Sequence, residues 1–164
     1  YLGTGFNIIE KNSKQALIDL SGNVIFDYSD YITSYCKYNN TDYYDSDFIF
    51  AALNNNVITI FDDKGTVLNS LELPDKFSDT SDLYLYFRRE SNCPVLTIES
   101  GNVFSRYIML PDNSLVDLPG RIYDDVYLFG NYVIAYGYEN ITILDKAGKV
   151  ADNVDRHRIS CLLI

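Results

Sequence analysis

Apolar and polar residues alternate in short runs, and each run stops at Gly, Asn or Asp, the pattern of half-buried β-strands joined by tight turns. One pair of runs is written four times. It reads Ala16-Leu17-Ile18-Asp19-Leu20-Ser21-Gly22-Asn23-Val24-Ile25, then Ile58-Thr59-Ile60-Phe61-Asp62-Asp63-Lys64-Gly65-Thr66-Val67, and most clearly Ile141-Thr142-Ile143-Leu144-Asp145-Lys146-Ala147-Gly148-Lys149-Val150. A variant copy, Tyr107 to Val116, replaces Asp-x-x-Gly with Leu110-Pro111-Asp112-Asn113. The turn Asp can accept hydrogen bonds from amides two or three residues on, two right-handed residues follow, and Gly supplies the positive φ that closes a three-residue hairpin with a G1 bulge. Asn113 is the next best tolerated residue at positive φ, and Pro111 presets the second turn position.

The turn positions Gly22, Gly65, Asn113 and Gly148 lie 43, 48 and 35 residues apart, a loose period within the range of all-β repeat arrays. Between them further strands are expected at Asp47 to Leu53, Leu83 to Phe87, Pro94 to Ile98, Tyr123 to Phe129 and Tyr132 to Tyr136. The predicted unit is strand, strand, strand, turn, strand, with Asp27 to Ile32 corresponding to Tyr123 to Val126. No window of 12 or more residues carries a 3.6-residue apolar period, so helix content is expected near zero. The predicted fold is all-β, about four antiparallel β-meander units in a β-propeller-like array. Residues 1–164 form one repeat domain with units ending at hairpins 16–26, 57–68, 107–118 and 141–150. The first and last units read as partial, and the chain is expected to be a piece of a longer protein.

Composition agrees with this picture: 47% hydrophobic and 22% charged residues, with fifteen Tyr, nine Phe and no Trp, favour strands over disorder. A formal charge of −10 repels a phosphate backbone, so nucleic acid and anionic membrane are poor partners. No apolar stretch approaches the roughly 20 residues that span a bilayer as a helix. Cys36, Cys93 and Cys161 stand far apart in no CxxC-type spacing and read as unpaired thiols, a single disulfide being the alternative.

Tyr123-Asp124, Ile143-Leu144-Asp145-Lys146-Ala147-Gly148-Lys149-Val150 and Leu17-Ile18-Asp19-Leu20-Ser21-Gly22-Asn23-Val24 together resemble the WG-repeat family, also called KWG repeats, found in many bacterial proteins. The resemblance covers most of the chain in outline. The Trp-Gly pair that names the family is absent, with Ala16-Leu17, Val57-Ile58 and Ile141-Thr142 in its place. It implies a repeat array, and with it a bacterial, extracytoplasmic or cell-surface setting.

Candidate chemistry is sparse. Gly3-Thr4-Gly5 lacks the third Gly and the following helix of a phosphate loop, and His157, the single histidine, stands between Arg156 and Arg158 as a solvated residue. The acidic groups Asp42, Asp45 and Asp47, Asp62-Asp63, Asp79 and Asp82, and Asp124-Asp125 sit in turn-like sequence; an Asp pair facing a propeller channel could act on a glycoside, which is the alternative reading. The run Asp42 to Asp47 has calcium-like oxygen ligands without the Gly and bidentate Glu of an EF-type loop. No cofactor, metal site or catalytic residue is expected. The preferred reading is a noncatalytic binding or scaffold module for a protein or glycan partner. Its expected surface is the tyrosine-rich stretch, Tyr35, Tyr38, Tyr43 and Tyr44 with Asp42 and Asp45, because aromatic faces supply apolar contact and carboxylates directional hydrogen bonds.

Overall fold

Fifteen strands, in four antiparallel meanders, make up nearly all the regular structure of the computed structural model, which describes residues 5–36, 48–77, 82–88, 93–118, 123–137 and 139–155. The first sheet holds β1 (Phe6–Lys11), β2 (Lys14–Asp19) and β3 (Val24–Ser29). The second holds β4 (Tyr31–Cys36), β5 (Phe48–Asn54), β6 (Val57–Asp62) and β7 (Val67–Glu72). The third holds β8 (Tyr84–Arg88), β9 (Val95–Ser100), β10 (Val103–Met109) and β11 (Leu115–Asp117), and the fourth holds β12 (Tyr123–Phe129), β13 (Tyr132–Gly137), β14 (Asn140–Asp145) and β15 (Val150–Asp155). A 3₁₀ turn, Asp75–Phe77, is the one helical element among the described residues. The last sheet carries all four strands, whereas the sequence reading made it partial; the first carries three.

Each expected hairpin forms by the same bonds. Asp19 N–H donates to Asn23 O and Gly22 N–H to Asp19 O; the same two bonds recur at Asp62 and Gly65, at Leu110 and Asn113, and at Asp145 and Gly148, all between 2.9 and 3.1 Å. The four closing residues have φ of 85°, 80°, 65° and 78°. Each turn carboxylate accepts one amide two residues on, as expected, and another four residues on: Asp62 Oδ1 takes Lys64 N–H at 2.9 Å and Thr66 N–H at 2.7 Å, and Asp145 Oδ1 takes those of Ala147 and Lys149 at 2.9 Å. In the variant copy Asp112 supplies this bond to Ser114 N–H at 3.1 Å. The turns joining β1 to β2 and β5 to β6 are two-residue loops with both central residues at positive φ, Asn12-Ser13 and Asn55-Asn56, the geometry that matches strand twist.

A second regularity was not legible beforehand. In the three Asp-x-x-Gly copies the register slips just past the turn, between Leu17 and Ile18, Ile60 and Phe61, and Ile143 and Leu144. The variant copy pairs Ile108 with Val116 and Met109 with Leu115 without a slip. The extra residue is a β-bulge that bends the strand following the turn.

By compactness the chain divides into two units, residues 1–87 with 98–103, and residues 88–97 with 104–164. In the first, Leu17, Phe6, Ile8, Ile25 and Phe26 of the first sheet pack on Ile32, Phe48, Phe50, Ala52 and Phe61 of the second. Phe26 stacks on Phe61 with centroids 4.1 Å apart, and Phe50 lies 5.5 Å from Phe61. In the second unit, Val95, Ile108, Leu110 and Val116 pack on Val126, Val133, Ala135 and Leu144. The rule is the same in both. The residue two before the turn, Leu17 or Ile108, faces forward to the next sheet, and the residue one before it, Phe61 or Leu144, faces back.

The turn glycines join the sheets. A Cβ on Gly65 would lie 2.7 Å from the carbonyl oxygen of Ile25, and one on Gly148 would lie 3.1 Å from Val116 Cγ1. Each of these glycines therefore serves both the positive φ of its own turn and the close approach of the preceding sheet.

Candidate functional site

The sequence-selected surface is placed only in part. Tyr35 is 8% exposed, with its ring tilted against Phe87 at 5.8 Å, so it belongs to the interior of the first unit and presents no face to a partner. Ile32, three positions earlier on β4, is also buried, so the two side chains lie on opposite faces of the strand and both faces are covered there. Tyr38, Asp42, Tyr43, Tyr44 and Asp45 lie outside the described residues. Among the described residues no group of His, Cys, Asp and Glu is arranged to hold a metal.

Carboxylates in and beside the turns have local structural roles. Asp19 accepts from Asn23 N–H at 2.8 Å and from Asn23 Nδ2 at 2.7 Å. The Asn23 side-chain amide, followed by its backbone N–H, holds the Asp19 carboxyl below its ordinary range. Ser114 does the same for Asp112 through its hydroxyl and its N–H. Asp30 pairs with Lys14 and accepts from Asn55 N–H at 3.4 Å.

A cavity of about 480 Å³ opens beside the Asn55-Asn56 turn, lined by Asp30, Leu53, Asn55, Asn56, Leu73, Phe77 and Leu83. Its volume suits a small ligand. Its carboxylate is already engaged, however, and its one aromatic ring, Phe77, is 2% exposed, so no flat face is offered for stacking. The Cys93 thiol is buried, and burial pushes its pKa up to about 11, which makes it a core group rather than a nucleophile.

The fourth sheet offers the better surface. Its pairing places Asp125, Tyr127 and Phe129 opposite Tyr136, Ile134 and Tyr132, and carries this face on to Ile143 and Asp152. The alternate residues Val126, Val133, Ala135 and Leu144 fill the core on the other side. Phe129 is 74% exposed, Tyr132 50% and Tyr127 37%, and Tyr127 meets Tyr136 edge-on at 5.7 Å. Contiguous exposed aromatic rings of this kind mark interaction surfaces. The signal lay in the sequence as aromatic residues on one parity of two adjacent strands and small aliphatic residues on the other. It was missed because both parities are apolar, and alternation alone does not say which one is covered.

No protein-family model matches this chain, and no curated protein matches it. Among solved structures, a protein of unknown function from Bacteroides caccae, determined at 1.35 Å, is similar over 93% of this chain and 56% of its own, with 9% identity and a TM-score of 0.35. The chain thus spans little more than half the length of that protein.

Proposed function

We propose that this chain is a noncatalytic binding or scaffold module of WG-repeat type, from a bacterial surface or secreted protein, which engages a protein partner through the aromatic face of its fourth sheet. The observation that carries this reading is the set of exposed rings Tyr127, Phe129 and Tyr132 on one face of a sheet whose other face is core. Large amphipathic rings supply contact area at small conformational cost, and they are enriched at interfaces. The use of Asp19, Asp62 and Asp145 inside their own turns supports a structural role for the repeated carboxylates over a catalytic one. A glycan is the second reading, favoured by Asp125 lying opposite Tyr136 beside the rings, since a sugar needs a stacking face with a neighbouring acceptor.

The test compares the chain with a Phe129→Ser, Tyr132→Ser variant on glycan arrays and in partner capture. Binding weakened about tenfold or more, with the melting temperature nearly unchanged, supports the reading. Undiminished binding by the variant refutes it.

A further inference from the structure

The strand that follows each repeated turn is an outermost strand of its sheet, and such a strand offers backbone groups to any other strand that meets it. In β7 those groups can be placed. Leu73 N–H donates to Asn56 O at 2.7 Å, and bonded pairs alternate along an antiparallel ladder. Leu71 opposite Ile58 and Asn69 opposite Ile60 therefore turn their amides inward, and Ser70, opposite Thr59, turns its N–H away from β6. That N–H is already taken: Asn69 Oδ1, from the residue just before, accepts it at 2.7 Å.

The same bond recurs in two other outer strands. Asp152 Oδ1 accepts Asn153 N–H on β15 and Asp27 Oδ1 accepts Tyr28 N–H on β3, both at 2.7 Å. Ser70, Asn153 and Tyr28 are all exposed, so water could have served each amide, and the side chain serves it instead. In all three strands the acceptor accompanies a bulge. Asn69 and Asp152 stand directly after the extra residue, Leu68 or Ala151, and Asp27 stands at the second register slip of its strand, between Gln15 and Leu17. The bulge twists the edge away, and the side-chain oxygen occupies the place of a neighbouring strand's carbonyl.

The variant copy shows the alternative. β11 has no bulge, and Asp117 stands four residues past Asn113, as Asn69 stands four past Gly65. The amide after it, Leu118 N–H, points inward to Arg106 O at 2.9 Å. This strand is only three residues long, and Leu118 is followed by Pro119, which has no N–H to offer. Bulge and cap thus occur together, and where both are missing a short strand and a proline replace them.

We propose that the outer strands of these sheets are closed to strand addition, with Asn69, Asp152 and Asp27 acting as edge caps that keep a second chain from pairing there. The caps also exclude partner recognition by an added strand at these edges, whichever sheet face binds a partner.

The test is made on β7. Asn69→Val keeps a strand-forming residue and removes the acceptor. It is compared with the chain itself, with Asn69→Asp, which keeps the acceptor, and with Gly22→Ala, which lowers stability at a different place. Sedimentation velocity and thioflavin T binding are read in about 1 M salt, where the screening length of about 3 Å mutes the added charge of Asn69→Asp. Asn69→Val should self-associate at a concentration about fivefold or more below the parent's, the equivalent of one hydrogen bond made available. Asn69→Asp and Gly22→Ala should stay with the parent. Association of Asn69→Val no more readily than the parent or than Gly22→Ala overturns the proposal, as does an Asn69→Asp chain that associates as readily as Asn69→Val.

Discussion

The two sheet-to-sheet cores occupy equivalent positions and are built from different residues. In the first unit the back-facing positions are Phe61, Phe50 and Ala52; in the second they are Leu144, Val133 and Ala135. One core is a stack of phenylalanine rings, with Phe26, Phe61 and Phe50 in sequence at 4.1 and 5.5 Å, and the other is entirely aliphatic apart from the Cys93 thiol. The meander fixes which positions are covered, and the side-chain volume at each junction is fitted locally. Close packing then makes each solution specific to its own junction, even though the positions correspond.

The largest effect separating the two should come from truncating the back-facing residue. Phe61→Ala should cost about 4 kcal/mol and Leu144→Ala about 3 kcal/mol, because the aromatic stack leaves the larger cavity; urea unfolding of each variant measures this. Leu144→Phe, which copies the first unit's residue into the second, should destabilise by about 1–3 kcal/mol through overpacking. Stabilisation by that substitution would show that the two junctions share one shape.

The glycine series sharpens the comparison at the turns. An alanine at positive φ costs about 1–2 kcal/mol, so Gly22→Ala, with open space around it, should lose about that much in thermal or urea unfolding. Gly148→Ala adds a contact with a side chain that can shift, and Gly65→Ala adds one with a backbone oxygen that cannot. The expected order of loss is Gly65, then Gly148, then Gly22, with Gly65→Ala at about 3 kcal/mol or more.

Cys93 reports on the second core alone. In a Cys36→Ser, Cys161→Ser background its thiol should react with an alkylating reagent far more slowly than in the urea-unfolded chain. Its raised pKa means that the associated stability is complete below the ordinary thiol value of about 8.5 and is lost as pH rises toward about 11.

The smallest effect lies in the first hairpin. The lowered Asp19 carboxyl contributes stability that is present above about pH 4 and lost as pH falls through the folded value. An NMR titration should find Asp19 below the ordinary carboxylate range, and Asn23→Ala should move it back toward that range. An unchanged titration in that variant would remove the side-chain amide as the cause.

The four hairpins could be read from the chain because their causes are local. An Asp whose carboxylate caps amides within four residues, and a Gly or Asn at positive φ, act within one turn. The Asn113 copy was legible for the same reason. The candidate surface was not. Tyr35 and Phe129 are both aromatic residues on β-strands, yet one is 8% and the other 74% exposed, and nothing within a few residues of either distinguishes them.

By itself the sequence determined that this chain is all-β, where its turns fall, and the order of strands within a unit, since alternation and turn chemistry are properties of neighbouring residues. The tertiary structure alone decided which of two apolar faces is covered, that Gly65 and Gly148 must also admit the preceding sheet, and that the fourth sheet leaves its rings open. Those outcomes depend on residues about 40 positions away in the chain, and burial is a property of what arrives there.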